Sequence, residues 1–268
     1  MMRKLVVEGT TLIIVPHSDD EVLLFGGLIQ RLISNKTRVF VALVTNGDYE
    51  ASTEQEGQIR PLETIAGLKI FNVPEQDIIL MGYADTGMPR NESFLAGLLD
   101  ETDGERIHAS RVGVHTYGPS SHPDYHSSKH GEPASYTRNA LCQDIADVIR
   151  ETNPRNIFTT HPLDVHGDHS ALYHFVKHAC GDRLLFSAFA HSREGDIPLP
   201  DTDERIPCPV DLKDAWDTAV ELHLTPEEVE KKRRALEEHV SALKPDAIEF
   251  LRSYVKCNEV YFPMEEVK

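Results

Sequence analysis

The sequence predicts an α/β fold of three layers, a mostly parallel sheet with helices on both faces. Two observations carry this expectation. Short apolar runs alternate along the chain with segments whose apolar residues recur at helical spacing. The chain also has material for a sizeable core, with 268 residues of which 40% are hydrophobic. One large α/β domain fits this length, as would two small ones; one is preferred, spanning residues 1–268 with about 210–268 as a C-terminal helical extension.

The elements follow in order. Residues 11–16 read as a buried strand, and 21–34 as a helix with apolar Val22, Leu23, Phe25, Leu28, Ile29 and Leu32. Residues 38–45 form a second strand, closed by the turn signal Asn46-Gly47-Asp48. A helix follows at 57–69, with Pro61 near its start, where proline is tolerated. A third short strand lies at 77–80. Residues 101–131 are rich in Gly, Ser, His and Pro and read as a long loop. Beyond it come a helix at 136–151, a strand at 156–160, a helix at 169–180 and a strand at 184–189. Helices at 226–243 and 247–255 complete the pattern, the Glu- and Lys-rich part of the first reading as a solvated face. Strands alternating with helices in this way give a Rossmann-like sheet, and ligands of such sheets bind beyond the carboxyl ends of the strands.

Composition excludes some partners. With 27 Lys and Arg against 44 Asp and Glu, the formal charge is −17. Such a surface repels nucleic acid and anionic membranes. Cys142, Cys180, Cys208 and Cys257 are scattered, so neither a redox motif nor a cysteine zinc site is indicated. The first ten residues lack the apolar stretch of a secretory signal, and no window approaches a membrane span. A cytoplasmic protein is expected; a homo-oligomer is left open.

Two clusters of chemistry follow predicted strands. The first is "VPHSDDEVLLFGG", residues 15–27. One reading is a helix start: Ser18 and Glu21 have capping-box spacing, with Asp19 and Asp20 as first-turn acids. The other is a metal site. The second cluster, "TTHPLDVHGDHSAL" at 159–172, holds His161, Asp164, His166, Asp168 and His169. Parallel strands put both clusters on one sheet edge. Together they offer His17, Asp20 and His169 as a two-histidine, one-carboxylate set suited to Zn²⁺, with a position left for water. Asp19 is placed to act as base, and His166 to stabilise or protonate what develops opposite. Asp168 could hold an imidazole in the needed tautomer.

These residues resemble the LmbE-like, or PIG-L, zinc-dependent N-deacetylases. The family's P-H-P-D-D-E motif is matched by Pro16-His17-Ser18-Asp19-Asp20-Glu21, and its H-P-D-H motif by His166-Gly167-Asp168-His169. The resemblance implies zinc on His17, Asp20 and His169, with Asp19 as base. It further implies His166 as acid or oxyanion partner, with Asp168 behind it. The substrate class it implies is a small-molecule N-acetylglucosamine-type amino sugar or conjugate. "IRPLETIAGLKIFNV" is similar to the family's R-x-x-E helix and points to Arg60 as a sugar contact. "GYADTGM" is similar to a stretch in thiol-sugar deacetylases and points to Asp85 as a partner of sugar hydroxyls. Ser18 and Gly167 stand where the family usually has proline.

The stretch "HTYGPSSHPDYHSSKH", residues 115–130, adds four histidines. A second metal set of His122, Asp124 and His126 is conceivable. The preferred reading is a substrate-facing wall carrying Tyr117, Tyr125 and His126. Two rivals to the deacetylase remain. One branch of the superfamily looks like a metal-dependent hydratase of a small unsaturated carboxylic acid. A non-catalytic, metal-stabilised binding domain would instead close the site with a fourth ligand, His166 or His161.

Overall fold

The computed structural model describes residues 2–193 and 205–264. The chain opens with a two-residue edge strand, β1 (Arg3–Lys4), and then enters the central strand, β2 (Thr11–Val15). Helix α1 (Asp20–Ser34) leads to β3 (Val39–Thr45). A short turn of helix, α2 (Glu54–Gly57), precedes α3 (Ile59–Ile70) and β4 (Ile78–Tyr83). Helices α4 (Phe94–Asp100), α5 (Tyr125–His130) and α6 (Arg138–Thr152) lead to β5 (Asn156–Thr160). Then come α7 (Gly167–Ala179), β6 (Leu184–Ala188) and β7 (Val220–His223). Helices α8 (Pro226–Leu236) and α9 (Ile248–Arg252) and strand β8 (Asn258–Pro263) complete the order.

The strands form one sheet in the order β1-β7-β8-β6-β5-β2-β3-β4. Neighbours are parallel except where β8 pairs with β6 and β7. From β2 the chain first builds outward through β3 and β4, then returns to place β5 on the other side of β2 and β6 beyond it. The strand order therefore reverses between β2 and β5. Crevices open at such switch points, beyond the carboxyl ends of the strands.

Burial follows the two-residue period of a strand. In β2, Leu12 and Ile14 join the core under α4, α6 and α7, while Ile13 and Val15 join the core under α1, α3 and α8. Both faces are covered, which is why the central strands read as unbroken apolar runs. Each fully buried aliphatic side chain contributes roughly 1.5–3 kcal/mol. No helix among the described residues is long and apolar enough to cross a membrane, and all four cysteines are free.

Several expectations need correction. The segment 210–268 is not simply a helical extension, because it carries β7 and β8 into the sheet; its residues 265–268 lie outside the described residues. Those strands contain buried polar Glu221, Asn258 and Glu259, which hide the strand pattern. The helix expected over 226–243 stops at Leu236, since the chain turns to bury His239. Nor is α8 merely solvated. Lys232 is fully buried, donates to Leu23 O at 2.8 Å and pairs with Glu259 at 2.7 Å. Glu259 in turn accepts the N–H groups of Gly27 and Leu28 in α1. A Cβ on Gly27 would sit 2.2 Å from the Leu224 side chain and 3.0 Å from Glu259 Oε2, so a larger residue there would force Leu224 to move. The long loop of 101–131 ends in helix α5, which Asp124 caps by accepting Ser127 N–H.

Candidate metal and catalytic centre

The two polar clusters meet at the switch point. Asp20 Oδ2 lies 3.4 Å from His17 Nδ1 and 3.3 Å from His169 Nε2. Zinc bonds of about 2.0–2.1 Å give a tetrahedron with edges of roughly 3.3 Å. Asp20 Oδ2 thus stands at that spacing from both imidazole nitrogens, and His17, His166 and His169 each offer a ring nitrogen within 4.8 Å of the others; two imidazoles and a carboxylate are a donor set that suits zinc. His17, Asp20 and His169 are 6%, 3% and 1% exposed. Their remaining exposure is toward a cavity of about 650 Å³ that all three line.

Each imidazole is aimed by a carboxylate behind it. His17 Nε2 lies 3.0 Å from Asp168 Oδ2, while Asp168 Oδ1 accepts the Ser93 hydroxyl and the Leu95 N–H. His169 Nδ1 lies 3.1 Å from Asp164 Oδ2, which also accepts the N–H groups of Ala190 and His191. Burial works against the charge on Asp164, but His169, His191 and the His166 N–H outweigh it and hold its carboxyl below the usual range. Carboxylate–histidine pairs of this kind fix the tautomer that leaves the other nitrogen free for a metal. Asp168 was expected behind His166; the structure puts it behind His17 instead. It reaches His166 only through its backbone N–H, which donates to His166 Nδ1 at 3.2 Å.

That last bond assigns a proton. With Nδ1 accepting, the neutral His166 ring carries its hydrogen on Nε2. Burial, together with the imidazoles of His17, His169 and His191, holds His166 well below the ordinary histidine pKa. His166 is therefore a neutral donor, not a standing imidazolium.

Asp19 occupies the end of α1 with φ 100°, the left-handed region. Such a backbone costs about 1–3 kcal/mol and persists where neighbours enforce it. Here the Asp19 N–H donates to Glu21 Oε2, and Arg60 donates to Ser18 O at 2.7 Å and to Asp19 Oδ2 at 3.2 Å. Gly47, at φ +60°, lets the guanidinium pass; a side chain there would sit 2.8 Å from it. Burial, partly offset by Arg60, lifts the Asp19 carboxyl to about 6. The capping box does not form. Ser18 Oγ instead donates to Arg60 O and meets Thr64 Oγ1 and His239 Nδ1, and Glu21 Oε1 lies 3.1 Å from His239 Nε2.

Among the residues expected to contact substrate, Arg60 and Asp85 line the cavity. Asp85 Oδ2 is 3.9 Å from His17 Nε2, and its backbone N–H donates to Asp48. Tyr117 and His126 do not line it. The Tyr117 hydroxyl turns to Asp48 Oδ2 at 2.7 Å, and Tyr117 borders a neighbouring pocket. His126 sits on α5 against Asp144. The set His122, Asp124 and His126 does not assemble either: His122 bonds Ile78 O, and Asp124 takes the Thr116 hydroxyl.

The model of the GlcNAc-PI de-N-acetylase family, PIG-L, matches residues 12–180. The chain belongs to this family. The matched segment contains His17, Asp20 and His169 together with Asp19. A glucosamine-6-phosphate deaminase-like protein of Bacteroides thetaiotaomicron is 24% identical over 249 residues, 85% of this chain. The chain spans only 35% of that relative's length. Among solved structures, a deacetylase of the teicoplanin biosynthetic pathway aligns with TM-score 0.58 at 17% identity, covering 95% of this chain and 97% of the other. The N,N'-diacetylchitobiose deacetylase of Pyrococcus horikoshii aligns with TM-score 0.55 at 17% identity, covering 95% and 83%. At these identities the likeness establishes the shared fold.

Part of the cavity lies outside the PIG-L match. Ser241, Lys244, Asp246, Phe250 and Leu251 add to its lining, as does His191, whose ring centroid is 5.1 Å from that of His169. Sequence reasoning did not find them, because nothing local marks them as facing the clusters. Asp164 was visible in its cluster, but its partner, five residues on in the first turns of α7, is fixed only by the fold.

Proposed function

We propose that this protein is a metal-dependent N-deacetylase that removes acetyl from an N-acetylglucosamine-type amino sugar or conjugate. The observation that supports it most is that Asp20 lies 3.4 Å from His17 and 3.3 Å from His169, and that these three residues and Asp19 line one open cavity. Family membership and the glucosamine-named relative support the amino-sugar class.

His17, Asp20 and His169 would hold the ion, with Zn²⁺ as the expected metal. A bound zinc supplies a Lewis acid that polarises a carbonyl and makes water a better nucleophile near neutral pH. The residues of the chain do the rest. Asp19, its carboxyl raised toward neutrality, takes the proton of the attacking water. Arg60 holds the Asp19 carboxylate in place and keeps it from swinging away. His166 donates its Nε2–H to the oxyanion that grows as the amide carbon becomes tetrahedral. Asp19 then returns the proton to the departing amine. Arg60 and Asp85 border the space for sugar hydroxyls, and half-exposed Tyr49, Ile59 and Met88 give the rim an apolar side for an aglycone.

The test is a release assay over N-acetylglucosamine, its disaccharides and its apolar glycosides with zinc-loaded protein. Stoichiometric free amine and acetate are expected. Water addition to unsaturated carboxylic acids, without amine release, would establish the hydratase instead. A closed four-ligand structural site is disfavoured because the ligands themselves line the cavity.

A further inference from the structure

The histidine-rich stretch 115–130 has no part in the deacetylase reading. Its last turn nevertheless builds something. In α5, His126 and His130 are four residues apart, so their side chains stand on one helical face. Their ring centroids are 4.3 Å apart. Helix α6 presents Asp144 to them, with Oδ1 only 2.7 Å from His126 Nδ1. One donor atom from each of the three lies within 4.8 Å of the others.

We propose that His126, His130 and Asp144 form a second metal site, separate from the switch-point centre, that takes one divalent ion of the zinc type. Two imidazoles and a carboxylate are the donor chemistry of zinc, and histidines one helical turn apart are a natural chelate. The carboxylate is pre-aimed. Asp144 Oδ2 accepts the hydroxyl of fully buried Tyr83 at 2.7 Å, which leaves Oδ1 for the histidine side. Asp144 itself is fully buried. A carboxylate removed from water is costly unless a cation or hydrogen-bond donors compensate it. An ion there would compensate it further. His130 is exposed, which gives the ion a path in and leaves room for water in its coordination shell. A hydrogen bond between His126 and Asp144 alone would account for two of these residues, but not for His130 at their side. The bound ion would tie α5, the end of a long connection, to α6.

The experiment uses tag-free, full-length protein stripped of metal by chelator and titrated with Zn²⁺ against a competing indicator, then with Co²⁺ followed by its visible absorption. The wild type is expected to take up two equivalents. His126→Ala and His130→Ala should each take up one and keep the switch-point ion. His169→Ala should lose the other equivalent and keep this one. Tyr83→Phe should weaken the second equivalent by about 10-fold or more. Because His130 is exposed, His130→Ala should melt like the wild type without metal, yet show a smaller rise in Tm on adding Zn²⁺. A wild type that binds one equivalent, abolished by His169→Ala, would overturn the proposal. So would two equivalents retained in both histidine variants of α5. Two equivalents retained in His169→Ala, with one in His130→Ala, would leave this site standing and refute the switch-point ligand set.

Discussion

His17 Nε2 lies 3.0 Å from Asp168 Oδ2, across 151 positions of sequence. The contact joins the loop after β2 to the first turn of α7, and it fixes which nitrogen of His17 faces Asp20. Replacing Asp168 by Asn keeps the shape and removes the charge that steadies the imidazole. Asp168→Asn should weaken zinc binding at this centre by about 10–100-fold. Competition with a calibrated chelator measures it, and an unchanged affinity would show that Asp168 does not serve the metal.

Asp19 and His169 should separate cleanly. Asp19→Asn is expected to keep the switch-point ion and lose about 10²–10⁴-fold in turnover, the usual contribution of a general base. His169→Ala should lose both ion and turnover. Metal analysis alongside amine release distinguishes them, and equal metal loss in both variants contradicts the division of roles.

His166 should act as a neutral donor. His166→Ala is expected to lower kcat by about 100-fold or more with little change in KM, while His166→Gln, which keeps an N–H, recovers part of it. Its pKa is held well below the ordinary value by burial and by the neighbouring imidazoles. The rate should therefore not fall as pH rises through 6.5, where a protonated histidine acid would be lost. A descending limb there in the wild type, absent from His166→Gln, would make it a general acid instead.

His161 predicts a pH dependence of stability. Burial lowers its pKa to about 4 from an ordinary 6.5. Between those values the unfolded chain binds the proton and the folded chain does not, so stability rises with pH across that window. The full contribution is present above pH 6.5 and fades toward pH 4, a total of about 3 kcal/mol. His161→Asn offers an oxygen to the Leu163 N–H that now donates to His161 Nδ1. Urea unfolding at pH 7.5 and 5 should show a smaller pH effect in that variant than in the wild type. Equal effects would mean that His161 does not titrate this way.

Much of the framework is legible in the sequence, for physical reasons. Strands buried on both faces leave long apolar runs, so β2, β3 and β5 announce themselves. Two strand ends dense in His and Asp, in a parallel sheet, must share an edge. What stays hidden depends on distant partners. β8 carries Glu259, whose burial makes sense only beside Lys232 and the α1 backbone. His239 reads as a surface residue until it meets Ser18, 221 positions away. Tyr117 lies close to the site but faces Asp48, a direction that local composition does not encode.

The lining contributed by residues 241–251 has a consequence for how this scaffold diversifies. The reactive groups lie within the family's shared segment, while Lys244, Asp246 and Phe250 come from a later part of the chain. The cavity thus takes one part of its lining from the segment that carries the chemistry and another from a stretch outside it. Exchanging residues 241–251 between relatives should shift which substrates fit while leaving His17, Asp19, Asp20 and His169 in place.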